Sequence, residues 1–316
     1  MTRRSLGPGL DGILVVAKPP GPTSHDIVGL VRRLAATKRV GHGGTLDPFA
    51  AGVLPVFLGK ATRVVEYHLA DRKAYRATVC FGASSTTDDL DGELTPGDGP
   101  APTRVAVEAA LPELTGASSQ RPPAYSAIKV GGRRAYALAR AGETVVLARR
   151  DVTIHALDLV AWDDTDPDRP IAIVEVECSA GTYVRALARD LGERLGCGAY
   201  LGALTRTASG PFRLADAIPL DEVRAATSDG PEGLIELLRP IDTGLEALPR
   251  VALSVEEVGA IARGQYVRPA GGIHERAERY RLVGPDGTLV AIAAAEAGRL
   301  APDKVFVGPV AGTTGA

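Results

Sequence analysis

Apolar and polar positions along the chain change period several times, and each change predicts an element. Ile13 to Lys18 is a short continuous apolar run ended by Pro19-Pro20-Gly21, the pattern of a buried strand. Ile27, Val28, Val31 and Leu34 then recur at helical spacing, and Ser24 stands where an N-cap is expected. Lys73 to Phe81 and Ile171 to Cys178 alternate with the period of two that marks half-buried strands. Tyr183 to Leu195 returns to helical spacing, with Thr182 before it as a cap and Gly196 after it as a stop. Strands and helices follow one another irregularly, without the steady beat of a doubly wound sheet, so the pattern predicts an α+β fold on a mixed or antiparallel sheet.

The pattern shifts again near the C-terminus. Pro240, Gly244 and Pro249 punctuate Leu237 to Arg250, which reads as a boundary. Beyond it, Tyr280 to Val283, Thr288 to Ala293 and Val305 to Val307 read as short strands of a small β-rich module. A chain of 316 residues exceeds the size at which single cores tend to split, which agrees with one large and one small unit.

Composition narrows the function classes. The three cysteines, Cys80, Cys178 and Cys197, are an odd number at no metal-like spacing, which speaks against a disulfide framework or a zinc site and for the cytosol. No stretch reaches the ~18 to 20 apolar residues of a membrane span. Aromatic residues are only 4% of the chain and scattered, so an aromatic stacking sheet for nucleic acid is not expected. Net charge is −2, yet residues 1–40 carry seven basic side chains against two acidic, and residues 121–150 seven against one. Acidic residues gather instead in Asp88 to Asp98 and Asp163 to Asp168. Such segregation is able to build a basic face on a neutral protein; solvated helix faces are the alternative.

Three stretches carry candidate chemistry. Gly41-His42-Gly43-Gly44-Thr45-Leu46-Asp47-Pro48 packs three glycines around one carboxylate. Leu46 breaks a dinucleotide-binding GxGxxG, and Gly52 to Lys60 has neither the spacing nor the Ser or Thr of a P-loop. What remains is a loop presenting Asp47, as turn former or as reactive group. In Ser179-Ala180-Gly181-Thr182-Tyr183-Val184-Arg185, Arg185 falls in a first helical turn, where a cation opposes the macrodipole and is better placed to hold a carboxylate. Gln120-Arg121-Pro122-Pro123-Ala124-Tyr125-Ser126-Ala127-Ile128-Lys129 runs into Gly131-Gly132-Arg133-Arg134, either an exposed hairpin or a presentation of basic groups to a phosphate backbone.

GHGGTLDP, Lys73-Ala74-Tyr75, QRPPAYSAIKVGGRRAY and CSAGTYVRALARDLG, in this order and separation, resemble the TruB family of tRNA pseudouridine synthases over about residues 12 to 215. The remainder is similar, less specifically, to the family's PUA-like RNA-binding extension. The resemblance implies a pseudouridine synthase catalytic domain over residues 1–245 and a PUA-like domain over residues 246–316. It implies isomerisation of uridine 55 in the tRNA T-loop by base flipping, with no cofactor and no metal, by a cytoplasmic monomer. Residue by residue, it assigns Asp47 as the essential aspartate, Arg185 as its partner and Tyr75 as the tyrosine against the target base. His42 matches a histidine that helps hold the loop nucleotides open. Tyr183 and Leu204 match pocket-lining positions, and Lys18, Lys129 and Arg140 are candidate backbone contacts or structural ion pairs. In one place the chain departs from the family pattern: Ser85-Thr86-Thr87-Asp88-Asp89 has Thr86 where an Asp is usual. Two other readings of these residues are an RNA-binding module without chemistry and a nucleotide-dependent enzyme using the glycine loop.

Overall fold

The computed structural model describes residues 9–126, 129–130, 132–136, 147–269, 273 and 277–308. The first strand, β1 (Gly12–Lys18), is buried nearly throughout, as its continuous apolar sequence requires of a strand covered on both faces. It leads into α1 (Ser24–Leu34), β2 (Val40–His42), β3 (Ala51–Leu58), α2 (Val65–Leu69) and β4 (Lys73–Phe81). The short hairpin of β5 (Ala83–Ser85) and β6 (Leu94–Pro96) precedes α3 (Arg104–Ala110), β7 (Gly116–Gln120), β8 (Lys129–Val130) and β9 (Arg133–Arg134). Next come β10 (Arg150–Asp163), β11 (Ile171–Cys178), α4 (Val184–Leu195) and β12 (Ala199–Ser209). The short strands β13 (Phe212–Arg213) and β14 (Ile218–Pro219), helix α5 (Leu220–Ala226) and β15 (Leu238–Arg239) complete the large unit.

Among the described residues one sheet of eleven strands dominates, with the backbone order β14-β1-β3-β12-β4-β11-β10-β7. Pairing is antiparallel except for β1 with β14 and β3 with β12, so the expected mixed α+β architecture is what forms. The parallel contact of β3 and β12 places Gly52 beside Arg206. Antiparallel pairing of β12 and β4 sets Arg206 opposite Tyr75 and Leu204 opposite Ala77. Helix α3 with the turn that follows it, and helix α4, cover the β4 and β11 region through Val107, Leu111, Val184, Leu187 and Leu191. Helix α1 covers β1 and β3 through Ile27, Val28 and Val31.

Two local expectations are corrected and a third holds. The cap of α1 is Thr23, not Ser24: Thr23 and Asp26 form a reciprocal capping box, which frees the buried Ser24 hydroxyl for another partner. Helix α4 has Tyr183 at its N-cap with no side-chain cap of its own, and Gln120 from β7 bonds both the amide and the carbonyl of Tyr183. Gly196 ends that helix in the left-handed conformation, as its position suggested.

The C-terminal β-rich unit comprises β16 (Arg250–Ala252), α6 (Val255–Ala262), β17 (Tyr280–Val283), β18 (Leu289–Glu296) and β19 (Arg299–Val305), a four-stranded sheet. The third predicted strand starts earlier than read, because β19 runs through Pro302 on the sheet edge, where a missing N–H is tolerated. The segment before it is no loose linker. Leu245 joins Ile13, Phe57 and Val64 of the large unit and Leu289, Ile292 and Phe306 of the small one in a single apolar cluster. Lys60 and Arg63 donate across the seam to the carbonyls of Phe306 and Val305, and Lys304 returns one to Arg63.

Candidate active site

Asp47 lies on the loop between β2 and β3, and the chain fixes the residues on either side of it. Ser24, buried at the start of α1, accepts from the Leu46 amide at 2.8 Å and donates to the Leu46 carbonyl at 3.1 Å. The Gly21 amide and the Lys18 ammonium both bond the Pro48 carbonyl, and Lys18 also reaches Ala50 at 2.5 Å. On the upstream side Arg206 donates to the carbonyls of Gly44 and Thr45, and to Val53 of β3. Gly44 has a φ of +129°, a backbone that L side chains rarely adopt, so glycine is required at this bend. The loop is thus anchored from α1, β1 and β12 together.

Arg185 meets this loop from the first turn of α4. Its Nε lies 2.9 Å from Asp47 Oδ2, as an ion contact whose N–H is not aligned into a hydrogen bond. Its Nη1 lies 3.2 Å from Asp89 Oδ2 and donates to the Thr87 carbonyl, and its Nη2 donates to Tyr125. The Arg185 side chain is 6% exposed, Asp89 5% and Asp47 34%, so one buried guanidinium joins a buried carboxylate to an accessible one. This explains the cation in a first turn: two carboxylates outweigh a macrodipole effect of ~0.3–1 kcal/mol. Burial pushes the Asp88 and Asp89 carboxyls up, against the pull of Arg189 and Arg185 on Asp88 and of Thr87 and Arg185 on Asp89. Asp88 bonds Arg189, one turn further along α4.

Tyr75 is half-buried and packs against the cluster that contains Leu46 and Leu204. It stands directly opposite Arg206 across β4 and β12, where the guanidinium charge acts on its hydroxyl. Burial raises the Tyr75 pKa, and Arg206 opposes that rise. His42 accepts from the Gly44 amide through Nδ1 at 3.2 Å, which puts its proton on Nε2 and makes it a turn cap. Burial, then the charge of Arg206, lowers its pKa.

The sequence-derived candidates therefore separate. His42 and Asp47 bound one loop, Arg185, Tyr75 and Leu204 lie around it, and Tyr183, the N-cap of α4, sits two residues before Arg185. Lys18, 2% exposed, is an internal clamp, with its pKa lowered to about 8 by burial against the opposing charge of Asp47. Lys129 lies on β8, and Arg140 falls outside the described residues. Thr86 bonds Glu93 across the acidic turn, away from the Arg185 network. Sequence reasoning missed Asp89 and Arg206. The first was hidden in an acidic stretch; the second was signalled only by an arginine on an otherwise uncharged strand. Among the described residues no group of three or more His, Cys, Asp or Glu is placed to hold a metal ion.

Residues 32–184 match the TruB family pseudouridylate synthase N-terminal domain, and residues 185–246 match the tRNA pseudouridylate synthase B C-terminal domain. The chain belongs to the TruB family. It is thereby a pseudouridine synthase, an isomerase, and the Asp47 loop and Arg185 sit in the region that defines the family. A relative from Bradyrhizobium diazoefficiens, tRNA pseudouridine synthase B, is 45% identical over 93% of this chain and 85% of its own. The tRNA pseudouridine synthase B of Thermobifida fusca is 44% identical over 94% of this chain and 99% of its own. The TruB fold also extends to solved structures. An H/ACA RNP bound to a substrate RNA containing 2′-deoxyuridine matches with a TM-score of 0.70 and 26% identity, covering 94% of this chain and 86% of that one. A Cbf5-Nop10-Gar1 complex matches at 0.69 and 28%, covering 94% and 85%. Among the described residues no helix is long and apolar enough to cross a membrane.

Proposed function

We propose that this TruB-family chain converts uridine 55 in the T-loop of tRNA to pseudouridine. The relatives named tRNA pseudouridine synthase B support tRNA as the substrate. The observation that carries the chemistry is the accessible Asp47 carboxylate 2.9 Å from a buried guanidinium. The reaction breaks the bond from uracil N1 to C1′, turns the base and joins C5 to C1′. Three routes share an ionised Asp47: attack at C1′, addition to C6 and abstraction of a ribose proton. In each, the Arg185 guanidinium lies 2.9 Å from that carboxylate.

The uridine is read as flipped out of its loop, at a cost of a few kcal/mol. Stacking on Tyr75, worth about 1–3 kcal/mol, offsets that, and the Tyr75 oxygen takes the C5 proton late in the reaction. Leu204 and Tyr183 wall the pocket. His42, neutral and fixed by Gly44, props the opened loop. Lys129 and Arg140 are assigned to phosphates, whereas Lys18, being internal, is assigned to holding Pro48 and Ala50. The enzyme is read as a cytoplasmic monomer.

Asp47→Asn tests the reading on tRNA transcripts. Pseudouridine at position 55 should be abolished while the Kd for tRNA changes less than about threefold, an effect under 1 kcal/mol. Product formation by Asp47→Asn would overturn it. An RNA-binding module without chemistry predicts no product from either protein.

A further inference from the structure

Arg206 is 1% exposed, and the bonds it makes to Gly44, Thr45 and Val53 all end on neutral carbonyls. A buried guanidinium facing only neutral acceptors is costly, and burial lowers its pKa. Its charge also acts on Lys18, His42 and Lys73, all of which it disfavours as cations, and the group that favours its own charge is the Tyr75 hydroxyl. Arg206 and Tyr75 are directly opposite across β12 and β4, on one face of the sheet, and a break in register follows between Arg206 and Ala208. Such an irregularity beside a functional group re-aims side chains.

We propose that Arg206 is the positioning residue of Tyr75, holding the phenol oxygen against a fixed positive charge so that this oxygen, as phenolate, receives the C5 proton. The inference rests on the role given to Tyr75 above. In that step the C5–H bond breaks and an O–H bond forms on Tyr75. The electron pair left on C5 becomes the C5–C6 double bond, the former N1–C6 double-bond pair moves to N1, and N1 takes a proton from water. The hydroxide so formed takes back the phenol proton. The groups facing Tyr75 are Arg206 from β12, Cys178 at the end of β11 and Asp47 from the glycine-rich loop. Arg206 favours the phenolate. Asp47 opposes it, and Cys178, pushed up to about 11 by burial, stays neutral at lower pH. Because Arg206 also grips Gly44 and Thr45, it places the acceptor for the proton and the Asp47 loop in one frame.

The test uses the full chain with Arg206→Lys, Arg206→Met and Tyr75→Phe. Tyrosine is labelled with 13C at Cζ, and the Tyr75 signal is assigned by its loss in Tyr75→Phe. Arg206→Met should move the Tyr75 titration upward by about one unit or more, and the ascending limb of the single-turnover pH profile should move with it. Arg206→Lys should restore the titration and at least part of the rate. In the Tyr75→Phe background, Arg206→Lys should slow the reaction less than about twofold further, since residues acting as a unit are not additive. If the effects multiply in the double variant, or the Tyr75 titration in folded Arg206→Met matches that of the wild type, the proposal is overturned. Should Arg206→Met fail to fold, the Lys variant and the double variant still decide. Wild-type rates from Tyr75→Phe alone would overturn the role given to Tyr75, a failure distinct from that of Arg206.

Discussion

Arg185 binds two carboxylates and two carbonyls with one guanidinium, and its removal acts on both chemistry and stability. Arg185→Met leaves Asp89 buried without its cation, which costs about 3–5 kcal/mol. We expect turnover below about 1% of wild type, equivalent to ~2.7 kcal/mol or more on the barrier, together with a fall in Tm of roughly 5–8 °C. Near-normal turnover in single-turnover assays would contradict the pairing. Lys18 gives a pH signature. Its ammonium is disfavoured in the fold, with a pKa of about 8 against 10.5 when free, so the unfolded chain holds more protons between those values. Stability contributed through Lys18 therefore rises with pH across that window and is flat below it. Thermal melts of wild type and Lys18→Met from pH 7 to 10.5 should show the difference moving in favour of wild type only above about pH 8. At this scale the sequence was legible where a short motif places a residue, as for Asp47 and Arg185. It was silent where a partner comes from register across strands, as for Arg206, or from a left-handed turn at Asp88, which presents Asp89.

The elements show why local signals succeed or fail. The four apolar positions of α1 were enough to predict the helix, yet its cap was misassigned by one residue, because Ser24 has a tertiary partner in Leu46 that outweighs its local preference. Alternation identified β4 and β11 because each has one face on the core. Pairing of β3 with β12 was not legible, since parallel contacts join segments far apart in sequence. Gly52 records that contact. It has a φ of +117°, and a Cβ there would lie 2.3 Å from the Arg206 carbonyl oxygen. Gly52→Ala should therefore destabilise by about 3 kcal/mol or more, or leave the protein insoluble, whereas Gly41→Ala, with open space around its Cβ, should cost about 1 kcal/mol or less. Urea unfolding of the two variants makes the comparison; equal midpoints would refute the close-contact account.

At the scale of the whole molecule, composition and punctuation located a second, β-rich unit but not its attachment. The apolar residues that join the two units, Phe57 and Val64 on one side and Leu289, Ile292 and Phe306 on the other, look in sequence like core residues of their own units. Wild type is expected to unfold in one calorimetric transition, because the seam couples the units. A chain ending at Glu246 uncovers the Ile13, Phe57 and Val64 face, and we expect it to bind a hydrophobic dye such as ANS and to melt at lower temperature. Two separate transitions in wild type would show the seam to be weak. A filled seam crossed by Lys60, Arg63 and Lys304 also turns the protein into a gauge: any RNA that touches the small sheet while a nucleoside reaches Asp47 has to supply those two points at a spacing dictated by the protein.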